Sequence, residues 1–103
     1  MFYVPYTVQP HQDGVLLFER DVELFIEYYL PDGPRGLVDW DVLEFHFDDK
    51  DAGGKPVYTK IGRSEPLFAV LYKDLDREWL DERIREMLAD DGIVDLYPTL
   101  THV

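Results

Sequence analysis

Three residues that could do chemistry stand two apart in one short stretch. They are Glu44, His46 and Asp48, within Leu43-Glu44-Phe45-His46-Phe47-Asp48-Asp49. Leu43, Phe45 and Phe47 lie between and beside them. In a strand, alternate side chains point to opposite faces. One face would then be apolar, and the other would carry a carboxylate, an imidazole and a carboxylate in a row. Neighbours in that row are about 6–7 Å apart, so two could share a metal ion. A closed site would need a ligand from a second element, which Glu23 or Glu27 of a neighbouring strand could supply. The row therefore admits a metal-dependent active site, a docking surface for a basic partner, or an ordinary polar face.

Other chemistry has less to rest on. Asp49, Asp51, Gly53 and Gly54 hint at a calcium loop. Such a loop needs an oxygen ligand at its fifth position, where Gly53 stands, and a glutamate at its twelfth, where Lys60 stands. Ser64 is the one serine and is better placed to cap a helix than to act as a nucleophile. No Gly-x-Ser-x-Gly elbow, glycine-rich phosphate loop or His-Glu-x-x-His motif is present. Carboxylates are so numerous that pairing any two as acid and base is uninformative. The absence of cysteine excludes disulfides, thiolate metal sites and cysteine nucleophiles. The expectation is a protein that is not an enzyme and holds no cofactor and no metal.

The elements that must position these residues are legible in outline. Residues 2–9 are β-prone and aromatic, but Pro5 restricts them to a sheet edge or an extended coil. Residues 10–14 read as a turn and 15–19 as a short strand. Residues 22–30 alternate strictly, with Val22, Leu24, Ile26, Tyr28 and Leu30 on one face and Glu23, Phe25, Glu27 and Tyr29 on the other. Two prolines and two glycines make 31–36 a loop. Strands follow at 40–47 and 57–61, joined by a loop at 48–56. Ser64-Glu65-Pro66 is a helix-start signature, and 67–72 is a short helix or a buried strand. The spacing predicts a helix over Asp74 to Asp91, capped by Asp74 and stopped by Gly92. Its stripe of Leu75, Trp79, Leu80, Ile84, Met87 and Leu88 would pack on the sheet. Asp76, Glu78, Asp81, Glu82, Arg85 and Glu86 would face water, with Arg77–Asp81 and Asp81–Arg85 as i,i+4 pairs. Residues 93–97 would add a short strand or a tail. The fold class is α+β: one domain, 1–103, with an antiparallel sheet of three to five strands against a C-terminal helix.

Charge narrows the function. Twenty-two acidic residues against ten basic ones give a net charge of −12 over 103 residues. Such a chain is repelled by phosphate backbones and anionic membranes and attracted by basic protein surfaces. No run approaches the roughly 18 apolar residues of a membrane span. The first residues lack the basic and apolar regions of a secretory signal. A cytoplasmic protein is expected, with the acidity serving either solubility or a partner. Glu23 and Glu27 on one strand, with Glu44 and Asp48 on the next, have no basic residue among them. If these strands pair, four carboxylates share one face, an arrangement that costs stability. Tyr29 and Trp40, with Phe25, would add aromatic groups suited to an interface. The predicted partner-binding residues are therefore Glu23, Glu27, Glu44, Asp48, Tyr29 and Trp40.

In length, charge, lack of cysteine and element order, the chain resembles the small acidic proteins of phages and mobile elements. These include anti-CRISPR proteins and other DNA mimics; toxin-neutralising immunity proteins are similar on the same grounds. The resemblance implies an inhibitor that presents carboxylates to the nucleic-acid-binding surface of a nuclease or surveillance complex. Two other classes stay open: an assembly protein whose aromatic strands build a homo-oligomer, and a metal-dependent enzyme using Glu44, His46 and Asp48.

Overall fold

The computed structural model describes residues 1–95. They form two compact units, each built from two segments of chain. The first holds Met1–Glu27 and Asp41–Leu75; the second holds Tyr28–Trp40 and, of the described residues, 76–95. The fold is α+β, as the sequence predicts. A four-stranded antiparallel sheet has the order β1-β4-β5-β6, and a separate hairpin joins β2 and β3. The strands are β1 (Phe2–Val8), β2 (His11–Gln12), β3 (Val15–Leu16), β4 (Arg20–Tyr29), β5 (Asp39–Lys50) and β6 (Pro56–Gly62); the helices are α1 (Pro66–Lys73) and α2 (Arg77–Asp90). Neither helix is long and apolar enough to cross a membrane.

In the first unit, Pro5 sits on an edge strand, where its missing N–H costs no ladder bond. There it pairs with Glu23 across the β1–β4 register. The apolar face is built from Val4 and Val8 of β1, Val22, Leu24 and Ile26 of β4, Phe45 and Phe47 of β5 and Ile61 of β6, all buried. The period-2 alternation of β5 is not kept throughout. Val42 and Phe45 are both fully buried although they are three apart, and His46 beside Phe45 is buried as well, so along this stretch both faces of β5 are covered. Residues 67–72, open between helix and strand in the sequence, belong to α1. Phe68 packs edge-on to Phe45 with ring centroids 5.3 Å apart, and Leu71 is buried. Ser64 does not cap this helix. Glu65 occupies the N-cap without a side-chain bond, and Pro66 starts the first turn, where a missing N–H is tolerated.

The turn at 10–14 is a tight hairpin. Asp13 and Gly14 both have positive φ, at 53° and 78°, the combination that a two-residue type I′ turn requires. The hairpin is tied to the end of α1. The backbone N–H of His11 donates to Asp74 Oδ2 at 2.6 Å, and Lys73 Nζ donates to the His11 carbonyl. Asp74 is thus not the cap of the second helix, which begins two residues later. That role falls to Asp76, whose carboxylate accepts from the Trp79 N–H at 3.1 Å.

The bond from His11 holds the Asp74 carboxyl below its ordinary value; Lys73 adds to this, and partial burial opposes it. A carboxyl lowered in the folded state stabilises above its unfolded pKa, and loses that contribution as pH falls through the folded one. Asp74→Asn should therefore lower the thermal midpoint at pH 7, with the gap to the parent closing as the pH is taken down through and below the carboxylate range. A gap that stays constant with pH would show that the charge of Asp74 is irrelevant to the tie.

In the second unit, Leu80, Ile84, Leu88 and Val94 are buried. Trp79 is not part of this stripe and is 44% exposed. At about 100° per residue it lies about 140° around the helix from Ile84. Arg85 reverses the other expectation. It does not face water; it is 8% exposed and donates to the carbonyls of Gly36 at 2.7 Å and Pro34 at 3.3 Å. The loop at 31–36, read correctly from its prolines and glycines, is thereby clamped to α2. Gly36 is required there, since a Cβ would come within 2.5 Å of Asp32 Cβ. Helix α2 ends in a Schellman motif: Gly92, at φ 72°, donates to Ala89, and Ile93 donates to Leu88. No strand covers Ile93–Asp95, and the rest of the predicted 93–97 element lies outside the described residues.

Candidate functional site

Directly opposed residues in an antiparallel pair put their side chains on the same face. In the first unit this gathers Tyr3 with Phe25, Pro5 with Glu23 and Thr7 with Asp21 across β1 and β4. Across β5 and β6 it gathers His46 with Lys60 and Asp48 with Tyr58. This is the face away from Phe45 and α1. Three rings lock its centre: His46 lies 5.1 Å from Tyr3 and 5.9 Å from Phe25, and Tyr3 lies 5.0 Å from Phe25, centroid to centroid. One ring comes from each of three adjacent strands. They leave His46 only 8% exposed, an unusual state for a residue on the polar side of a sheet.

Beside the rings a groove of about 260 Å³ is lined by Pro5, Asp21, Val22, Glu23, His46, Asp48 and Tyr58. Its acids are exposed. Asp21 accepts from Thr7 Oγ1 at 2.6 Å. Glu23 and Asp48 have no hydrogen bond or ion pair among the described residues. His46 Nε2 lies 2.8 Å from Glu44 Oε1. No side-chain nitrogen or oxygen sealed from solvent lacks a partner among the described residues. The second ring nitrogen of His46, which has no such bond, therefore keeps solvent access. A carboxylate only accepts, so Nε2 is the donor in the bond with Glu44.

Of the residues singled out in the sequence, Glu23, Glu44 and Asp48 meet around His46. Glu27 is half-buried and shares their strand face by alternation, outside the groove lining. Tyr29 and Trp40 belong to the second unit. Tyr29, at the end of β4, is exposed. Trp40 is engaged: its indole N–H donates to Asp81, and the Arg77 guanidinium lies 5.3 Å over its ring. No group of three or more His, Asp or Glu side chains among the described residues is placed to hold a metal ion. Asp51 of the calcium-like stretch instead accepts from the N–H groups of Gly53 and Lys55, each at 2.9 Å, and so orders its own turn.

The sequence reading missed Asp21, Pro5, Tyr58 and Lys60. Asp21 was within reach, since it continues the alternation of Glu23 and Glu27 one step back. Tyr58 and Lys60 need the β5–β6 register, and that hairpin's loop is shorter than the sequence suggests because β5 runs on to Lys50. Comparison with protein-family models, curated proteins and solved structures gave no match.

Proposed function

We propose that this chain is an acidic protein-binding module. Its grooved sheet face receives a basic surface of another protein, of the kind that ordinarily holds nucleic-acid phosphates, and so inhibits that protein. The observation that carries the reading is that Asp21, Glu23 and Asp48, from two strands, line one groove and stay exposed. Grouped like charges on a sheet cost stability, and a cationic partner offsets that cost. The net charge of −12 adds long-range attraction to such a surface.

Binding of this kind has a kinetic signature. Exposed charges are screened beyond about 8 Å at physiological salt, so association should slow as salt rises, with a smaller effect on dissociation. After recovery of a partner by pull-down, the combined variant Asp21→Asn, Glu23→Gln, Asp48→Asn should bind at least about tenfold more weakly, about 1.4 kcal/mol. A control that neutralises Glu78, Glu82 and Asp90 on α2 removes the same charge from exposed helix positions. Loss in the control with none in the groove variant would move the site to the helix. No effect of either would leave the acidity to solubility.

A second reading has one observation in its favour. β6 is an edge strand with Val57 and Tyr58 exposed at 39% and 70%, and an open edge can pair with a second copy. Self-association there would raise the mass measured by sedimentation as concentration increases, and a Thr59→Pro variant would abolish the increase. A mass independent of concentration rejects it.

A further inference from the structure

The chain contains three Asp-Gly pairs: Asp13-Gly14, Asp32-Gly33 and Asp91-Gly92. Such a pair can close on itself, because the glycine has no Cβ to obstruct attack of its nitrogen on the aspartate's own side-chain carboxyl. The fold treats the three pairs differently. The N–H of Gly33 donates to the Leu30 carbonyl at 3.1 Å, and that of Gly92 to the Ala89 carbonyl at 3.0 Å. Both nitrogens have to be released by local opening before they can react. The N–H of Gly14 has no partner among the described residues, and Asp13 and Gly14 are both exposed.

Backbone geometry points independently to the same pair. Among the described residues, Asp13 is the one non-glycine with positive φ, at 53°. Ring closure brings the Gly14 nitrogen level with the Asp13 Cβ and so sets ψ of Asp13 at about −120°, the value at the first central residue of a type II′ turn, the mirror image of type II. That turn also has positive φ at the same residue. The hairpin therefore reaches the reactive shape by flipping one peptide, between Asp13 and Gly14. Asp13 keeps its φ, and Gly14 moves to negative φ, which glycine accepts. Types I′ and II′ both serve two-residue hairpins, so the β2–β3 pairing survives the flip.

We propose that Asp13 is a self-modification site, where the hairpin directs conversion of aspartate to isoaspartate. The Gly14 nitrogen gives up its proton and bonds to Asp13 Cγ. The protonated carboxyl loses its hydroxyl, which leaves with that proton as water, and a five-membered succinimide remains. Water then adds to one of the two ring carbonyls. Addition at Cγ restores aspartate. Addition at the backbone carbonyl breaks its bond to the Gly14 nitrogen, and the chain then runs on through Cβ and Cγ. One water leaves and one returns, and nothing is oxidised or reduced. The product carries an extra methylene in the turn, which no longer fits the register of His11 with Leu16 and Gln12 with Val15. Through His11 the change reaches the tie to Asp74.

The test incubates the folded protein at pH 6 and 37 °C, with the chain unfolded in guanidinium alongside, and locates isoaspartate by electron-transfer fragmentation of the peptides. In the folded protein, isoaspartate should accumulate at residue 13 at least about tenfold faster than at residues 32 and 91, whose glycine amides must first open. Residue 13 should convert at least as fast folded as unfolded, and in guanidinium the three rates should come together. Asp13→Asn keeps a side chain that tolerates positive φ and loses ammonia in place of water, so it should convert faster still. Hydrogen exchange at the His11 N–H should quicken in the converted fraction and stay unchanged in Asp13→Gly aged in the same way. Equal rates at the three pairs in the folded protein, or slower conversion of residue 13 in the folded than in the unfolded chain, would overturn the proposal. Unchanged exchange at His11 in the converted fraction would overturn the link to Asp74.

Discussion

Ile84→Ala is expected to lower the free energy of unfolding by about 2–4 kcal/mol, the range of buried aliphatic truncations. Ile84 is fully buried, with Leu80 one turn before it and Leu88 one turn after it in the same state. A cavity at the middle of that row cannot be filled from the helix itself, because its neighbours along the row are already packed. Urea unfolding followed by circular dichroism measures the change. Trp79→Ala, on the exposed side of α2, should cost less than half as much. Equal costs would mean that the buried row does not hold the helix in place.

Arg85→Met should cost about 2–3 kcal/mol. The substitution keeps a long apolar stem but removes charged donors from the Gly36 and Pro34 carbonyls, and hydrogen bonds to charged groups are worth about 1.5–3 kcal/mol each. Arg85→Lys should recover only part of the loss, since one ammonium does not reproduce a planar fork reaching two carbonyls. Hydrogen exchange at Gly33 and Gly36, whose N–H groups bond within the loop, should quicken in both variants. Unchanged exchange, or full rescue by lysine, would show that the clamp does not order the loop.

The sequence carried the alternation of β4 and the punctuation at 31–36 plainly, because both are local. Pro5 at an edge and Gly92 at a helix end were legible for the same reason: each residue's backbone restriction admits few positions. Arg85 was not legible. On a helix with acids on both sides, a buried arginine has the same spacing as a solvated one, and its partners are carbonyls about 50 residues earlier in the chain. The spacing put Trp79 on the stripe through its neighbour Leu75, but it lies about 140° around the helix from Ile84, on the exposed side. His46 was found, but its burial was not. That comes from two rings on other strands, which only the register brings over it. The acidic row of four also changed. Glu44 is tied to His46, Glu27 lies outside the groove lining, and Asp21 takes a place that no count of spacings from Glu44 would reveal.

We propose that the exposed carboxylates of the sheet face, rather than the acidity as a whole, meet a basic partner. Carbodiimide labelling of carboxylates, read residue by residue with and without that partner at moderate salt, tests it most directly. Asp21, Glu23 and Asp48 should lose most of their labelling in the complex, while Glu78, Glu82 and Asp90 on α2 keep theirs. Protection confined to the α2 carboxylates, with Asp21, Glu23 and Asp48 labelled as fully as in the free protein, would contradict it.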